Sequence, residues 1–269
     1  MPRLPVAATE LHCERRGRGE PLVLIQGLGA HSLHWGEPFL SALERDFELI
    51  VFDNRGAGRS APLSGDFTVA DLAGDALALL DALRIERAHV LGFSLGGMIA
   101  QELALGAPQR LRTLTLGATS PGGTQARPTA PEVVQELTAA VLSGDSERML
   151  RTGYEIVVSP QFAADPANYA AFGEAARRHP AELELVMAQY AALNGHDVFG
   201  RLRGLQLPTL VIHGTADRML DAVNGDLIAS LVPGARLELL EGVGHLFFLE
   251  APQRAARLIR EHALGDHDS

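Results

Sequence analysis

Val90-Leu91-Gly92-Phe93-Ser94-Leu95-Gly96-Gly97-Met98 is the stretch that decides the fold. An apolar run, Ala88 to Phe93, precedes the serine, and a helical run, Leu95 to Leu105, follows it. Strand, sharp turn and helix in that order present a serine hydroxyl at the top of a sheet. The turn forces the serine backbone into a strained left-handed conformation. Gly92 and Gly96 flank it because side chains there would collide with the neighbouring strand and helix. The five-residue string arises by chance in glycine-rich chains, and this one holds 28 glycines. The strand before and the helix after make it a functional signal.

Working outward, length and composition fit one large α/β domain with an inserted helical part. The chain has 269 residues, and 46% of them are hydrophobic, enough for a sizeable core. No apolar stretch reaches the roughly 18 residues of a membrane span. Met-Pro-Arg-Leu-Pro at the start lacks the basic-then-apolar pattern of a signal peptide. A single cysteine, Cys13, allows no internal disulfide, so a cytoplasmic protein is expected. The net charge of −10 argues against nucleic acid and anionic membranes as partners. The absence of lysine removes Schiff-base chemistry and the lysine-dependent phosphate loop.

Val6–Arg15, Leu22–Gln26, Phe47–Asp53, Ala88–Phe93, Leu111–Leu116, Thr209–His213 and Leu237–Leu240 are predicted strands. Glu37–Arg45, Thr68–Leu83, the run after Ser94 and Pro252–Ala263 are predicted helices. Short apolar strands alternating with helices imply a mostly parallel sheet covered on both faces. Between Ser120 and Leu207 the alternation stops. Helices are expected there over Glu132–Leu142, Ser146–Val158, Asn168–His179 and Ala181–Leu193. The chain therefore divides into a core of 1–120 and 207–269 and a helical cap of 121–206, placed over the strand ends to exclude water.

A serine hydroxyl needs a general base, a group to orient that base, and donors for the oxyanion. His245, in a glycine-rich loop past the last strand, is the candidate base among ten histidines. His213 sits inside an apolar strand and is expected to be packed or turn-bonded. His31 and His34 are spaced i, i+3 but find no third metal ligand, and no metal is expected. His12, His89, His179, His196, His262 and His267 read as surface or structural groups. Asp217, beyond the glycine turn after Thr209–His213, is the candidate acid. Its rival Asp221 is better placed in the first turn of the next helix. The order Ser…Asp…His suits this strand–turn–helix chemistry. The backbone N–H groups of Leu28 and Leu95 are the candidate oxyanion donors. Gly27-Leu28-Gly29 also admits a dinucleotide-binding turn, with Asp53 roughly where the ribose-binding acid would stand, but Ser32 replaces the further glycine. Asp53 and Arg55 are expected to anchor the loop Phe52–Ser60 below the site.

The Asp53–Ser60 turn, the Gly92–Gly96 elbow and Gly244-His245, in that order, resemble the α/β-hydrolase superfamily over nearly the whole chain. The resemblance implies the α/β-hydrolase fold, with a mostly parallel eight-stranded sheet, helices on both faces and an inserted cap. Ser94 in place of aspartate sets the chain apart from the haloalkane dehalogenase and epoxide hydrolase branches. The chain looks like the small cap-bearing serine members: carboxylesterases, aryl esterases, enol-lactonases, carbon–carbon bond hydrolases and cofactor-free perhydrolases. Gln26 departs from the histidine usual before the oxyanion loop, and Arg218 begins a segment without the proline usual after the acid.

The expectation is a serine hydrolase acting on small apolar or aromatic carboxylic esters through an acyl-enzyme, without a cofactor. The alternatives are an enol-lactonase, a carbon–carbon hydrolase, a perhydrolase and a non-catalytic ligand receptor. Trp35, Phe93, Met98, Leu246 and Phe247 are candidate substrate-binding residues, though for most of them core packing is the plainer reading. Six arginines of the helical stretch (Arg148, Arg151, Arg177, Arg178, Arg201, Arg203) read either as a carboxylate clamp or as solvated side chains. Oligomeric state is not legible.

Overall fold

The computed structural model describes residues 3–6 and 9–265. Met1, Pro2 and His267 lie outside the described residues, as do positions 7 and 8 of the first expected strand. The strands are β1 (Leu4–Val6), β2 (Thr9–Leu11), β3 (Cys13–Gly17), β4 (Glu20–Ile25), β5 (Phe47–Phe52), β6 (Ala88–Phe93), β7 (Leu111–Gly117), β8 (Thr209–Gly214) and β9 (Arg236–Leu240). The helices are α1 (Glu37–Leu43), α2 (Val69–Ala82), α3 (Leu95–Gly106), α4 (Pro131–Leu142), α5 (Ser146–Val157), α6 (Pro160–Ala163), α7 (Pro166–Arg178), α8 (Leu183–Asn194), α9 (Val223–Leu231), α10 (Phe247–Glu250) and α11 (Pro252–Leu264).

The main sheet runs β3-β5-β4-β6-β7-β8-β9. Only β3 is antiparallel, against β5; every other pair is parallel. Seven described strands stand where eight were expected. The run Val6–Arg15 is not one strand: β1 pairs with β2, and β3 crosses to β5. His12 explains the break. Its N–H donates to Ser60 Oγ at 2.9 Å, and its carbonyl accepts from Asp53 N at 3.0 Å. The backbone is drawn to the 53–60 loop between the two ladders.

The central strands β6 and β8 are buried at every residue, as apolar runs in a doubly covered parallel sheet must be. Side chains alternate between two cores. Val23, Ile25, Val90 and Val211 face the side packed by α2, α3 and α9. Leu22, Leu24, Leu91 and Ile212 face the side packed by α1 and α11. Burying one such leucine or isoleucine contributes about 1.5–3 kcal/mol.

Helices α4–α8 occupy the interval between β7 and β8. They seat on both cores: Leu185 and Ala192 of α8 on one, Tyr154 of α5 on the other. Proline opens α4, α6 and α7 at their first positions, where its missing N–H costs nothing. Asp145 and Asp165 cap α5 and α7 with their side chains.

Candidate active site

Ser94 sits at the junction of β6 and α3 with φ 54° and ψ −120°. Such a backbone costs of order 1–3 kcal/mol and persists only where the surroundings impose it. Here they do. Ser94 N–H donates to Gly117 O at 2.9 Å, and its carbonyl accepts from Gly97 N at 2.9 Å. Thr119 Oγ1 donates to the same carbonyl at 2.7 Å. The flanking glycines are needed for close approach. A Cβ on Gly92 would lie 2.2 Å from Gly96 O, and one on Gly96 would lie 2.0 Å from Ile25 O.

Asp217 follows β8 after a turn in which its N–H donates to Gly214 O. His245 lies in the loop after β9. The two loops are tied by Ala216 N–H to Val243 O at 2.9 Å. His245 Nδ1 donates to Asp217 Oδ2 at 2.6 Å. A carboxylate partner places the imidazole proton on Nδ1 and leaves Nε2 with its lone pair. The Phe93 ring stands 4.8 Å from the His245 ring, so the histidine lies beside the elbow. Glu250 of α10 accepts from Gly244 N and Ser159 N, each at 3.0 Å, and binds the His245 loop to the helical segment. Burial raises the Glu250 carboxyl above the usual carboxylate range, despite those bonds.

Asp217 is also bonded to a second histidine, an interaction the sequence reading missed. His213 Nε2 donates to Asp217 Oδ2 at 3.0 Å and to Leu220 O at 2.9 Å. Both partners are acceptors, so this nitrogen carries the proton. The other carboxylate oxygen accepts from Met219 N at 2.8 Å and Leu220 N at 2.9 Å. The Asp217 side chain is fully buried. Burial alone would raise its pKa, but the charge on His245 and the bonds from both histidines outweigh it, and the net shift is well below the usual range. The pattern His213-Gly214-x-x-Asp217 held the signal; a turn, not a helix, brings i and i+4 together.

Leu28 follows β4 in the loop that passes Ser94. A Cβ on Gly27 would stand 3.1 Å from Ser94 Cβ. Among the described residues Leu28 N–H engages no acceptor, nor does the N–H of Leu95 at the start of α3. Gly27-Leu28-Gly29 does not open a dinucleotide turn. It leads into a short 3-10 helix, Ser32–Trp35, and Asp53 is engaged by Ser32 N at 2.6 Å and Arg59 N at 2.9 Å. Arg55 pairs with Asp75 through two bonds of 2.6 and 2.7 Å. Both residues anchor their loop.

Trp35, Phe93, Leu246 and Phe247 come together in one aromatic core. Trp35 and Phe247 are fully buried there, and the Phe248 ring lies 4.8 Å from the rings of both Trp35 and Phe93, tilted to the first and edge-on to the second. Met98, on the buried face of α3, lies in the other core. Asp221 sits just before α9 and accepts from Val223 N at 3.0 Å. Four of the six arginines are exposed and ion-paired: Arg151 with Glu155, Arg177 with Glu147, Arg178 with Glu174 and Arg201 with Glu102. His12, His89, His196 and His262 are buried rather than superficial. Among the described residues no group of three or more His, Cys, Asp or Glu side chains is arranged to hold a metal ion. No described helix is long and apolar enough to cross a membrane.

A family model described as alpha/beta hydrolase fold matches residues 20–252. The chain is 32% identical over 248 residues to a protein of Pseudomonas savastanoi pv. phaseolicola named "Putative carbamate hydrolase RutD", covering 88% of this chain and 90% of that one. It is 31% identical over 258 residues to the pimeloyl-[acyl-carrier protein] methyl ester esterase of Aeromonas hydrophila subsp. hydrophila, covering 94% and 98%. The crystal structure of the enol-lactonase from Burkholderia xenovorans LB400 superposes with a TM-score of 0.85 at 26% identity, covering 98% of this chain and all of that one.

Proposed function

The chain belongs to the α/β-hydrolase fold family, and from that premise we propose that it is a serine hydrolase of carboxylic esters. The observation that carries the reading is His245, held by Nδ1 on the buried Asp217 with its ring against Phe93, next to the strained Ser94. Ser94 Oγ attacks the ester carbonyl while His245 Nε2 takes its proton. Leu28 and Leu95 N–H groups receive the oxyanion. His245 returns the proton to the leaving alcohol, and water repeats the sequence on the acyl-enzyme. Asp217, anionic throughout, holds the tautomer and stabilises the imidazolium.

Small apolar or aromatic esters are the proposed substrates. Phe93, which precedes the serine, and Leu28, in the loop whose Gly27 lies against Ser94 and Phe93, supply apolar side chains there, and relatives include a methyl ester esterase. Residues 121–206 are proposed to act as a cap over the core formed by 1–120 and 207–269. We place the protein in the cytoplasm, where its one thiol suits a reducing medium; burial pushes the Cys13 thiol up to about 12. Enol-lactone hydrolysis by the same residues is the second reading, favoured by the likeness to the enol-lactonase.

The test is turnover of p-nitrophenyl acetate, butyrate and octanoate by the wild type and Ser94→Ala. The proposal expects wild-type activity that the variant loses. No wild-type ester turnover, with cleavage of an enol-lactone instead, moves the assignment to the second reading. Activity retained by Ser94→Ala overturns both.

A further inference from the structure

The loop after β4 presents five consecutive N–H groups, and four of them are engaged. Gly27 N–H donates to the side-chain oxygen of Gln26 at 2.9 Å. Gly29 N–H donates to Gln189 Oε1 at 2.7 Å. Ala30 N–H reaches Gly27 O, and His31 N–H reaches His34 Nδ1. Among the described residues, Leu28 N–H alone of the five has no acceptor. A backbone N–H left unpaired at a half-buried position costs free energy unless a ligand completes it.

Gln189 stands out in this set. It comes from α8, 160 residues away in sequence, and is fully buried. Its Nε2 has no partner among the described residues, so the amide carries an unmet polar atom into the interior. What it gains is one bond, to the loop that passes Ser94. The loop also lies against the start of α8 and the residues before it: a Cβ on Gly29 would stand 3.6 Å from Ala181 Cβ and 3.7 Å from Val186 Cγ2.

Resting on the serine-hydrolase reading above, we propose that Gln189 is a positioning residue for the oxyanion loop. By accepting from Gly29 it removes that donor and fixes the peptide planes so that Leu28 N–H is the loop's one free donor at Ser94. Gln26 does the same for Gly27 from the sheet side. The oxyanion hole is thus completed by a residue of the helical segment, and acyl transfer depends on α8 being seated on the loop. When α8 lifts, Gly29 is released and the hole loses its alignment.

The experiment compares wild type with Gln189→Met, which keeps length and helix propensity but has no comparable acceptor. Losing one aligned oxyanion donor costs on the order of 10²-fold in kcat. Misaligning one is expected to lower kcat on p-nitrophenyl butyrate by about tenfold or more, with KM within about threefold. Affinity for a trifluoromethyl ketone, whose adduct with Ser94 carries an oxyanion, should fall in step with kcat while Tm stays close to the wild type. Unchanged kcat overturns the proposal. So does a parallel change in KM and Tm with no separate loss of ketone affinity, which would mark Gln189 as simple structural support. Gln189→Asn, whose shorter side chain withdraws the acceptor, makes the same comparison if the Met variant does not fold. A wild type that neither turns over esters nor reacts with a fluorophosphonate would instead sink the serine-hydrolase reading itself.

Discussion

His213 and Asp217 show how much a single carboxylate carries. Asp217 accepts four hydrogen bonds, two from imidazoles and two from backbone N–H groups. Asp217→Asn keeps the shape but removes the charge that holds the His245 tautomer. It is expected to lower kcat on the order of 10⁴-fold with little change in Tm, read by steady-state ester hydrolysis. His213→Ala takes away one donor to Asp217, so the carboxyl pKa should rise towards its ordinary value. Asp217 would then hold the His245 ring less firmly, and kcat on p-nitrophenyl butyrate should fall by about tenfold, whereas His213→Gln, which can place a donor near the Nε2 position, should keep kcat within about threefold of the wild type. Steady-state rates of the three proteins decide the point. The elbow at Ser94 and the loops that carry Asp217 and His245 were legible because each sits in a short pattern of glycine and apolar residues. Gln189 was not: on α8 it is one polar residue among several, and only the fold brings it to Gly29.

Among the elements, the β6–α3 junction is the most tightly specified. Gly96→Ala would drive a Cβ to 2.0 Å from Ile25 O. The backbone must shift, and a loss of roughly 2–4 kcal/mol of stability is expected in urea unfolding. A stability within about 0.5 kcal/mol of the wild type would contradict the packing described. At the start of α2, Thr68 Oγ1 accepts from Asp71 N while Asp71 Oδ2 accepts from Thr68 N at 2.8 Å. Thr68→Ala should cost about 1 kcal/mol. The strands and long helices were readable because their apolar periods are unambiguous: Ala88–Phe93 has the expected bounds, and Pro252–Leu264 differs by one residue. The division of Val6–Arg15 was not readable. Its residue pattern is continuous, and the partner that interrupts it, Ser60, lies 48 residues away. Short α10 was missed because Phe247–Glu250 is held by its place beneath the His245 loop rather than by any helical period.

At the scale of the molecule, histidines held in desolvated surroundings set the response to pH. Burial holds His34 down to about 3, helped by the neighbouring His31, and holds His196 down to about 4. Unfolded histidine titrates near ~6.5. Below that pH the unfolded chain binds more protons than the folded one, so stability falls with pH from ~6.5 towards 4. Glu37, held down to about 2 by its bond from Arg16, and Asp217 add to the loss below ~4, where unfolded carboxylates protonate first. Glu250, raised by burial, opposes the trend over a narrow range. The urea midpoint should therefore be lower at pH 5 than at pH 7.5, and His34→Gln with His196→Gln should flatten the difference; equal wild-type midpoints would contradict this. The two-faced sheet and the helical run between Gly117 and Thr209 were legible as a change of period, while the way that run touches Gly29, Gly244 and Leu246 depends on contacts no local pattern encodes. The central claim is that Ser94 is the nucleophile. Intact-mass and peptide analysis after reaction with a fluorophosphonate tests it most directly. One adduct per chain, on Ser94, absent from Ser94→Ala and slowed in Asp217→Asn, is the predicted result; an unlabelled wild type, or an adduct that Ser94→Ala retains, would contradict it.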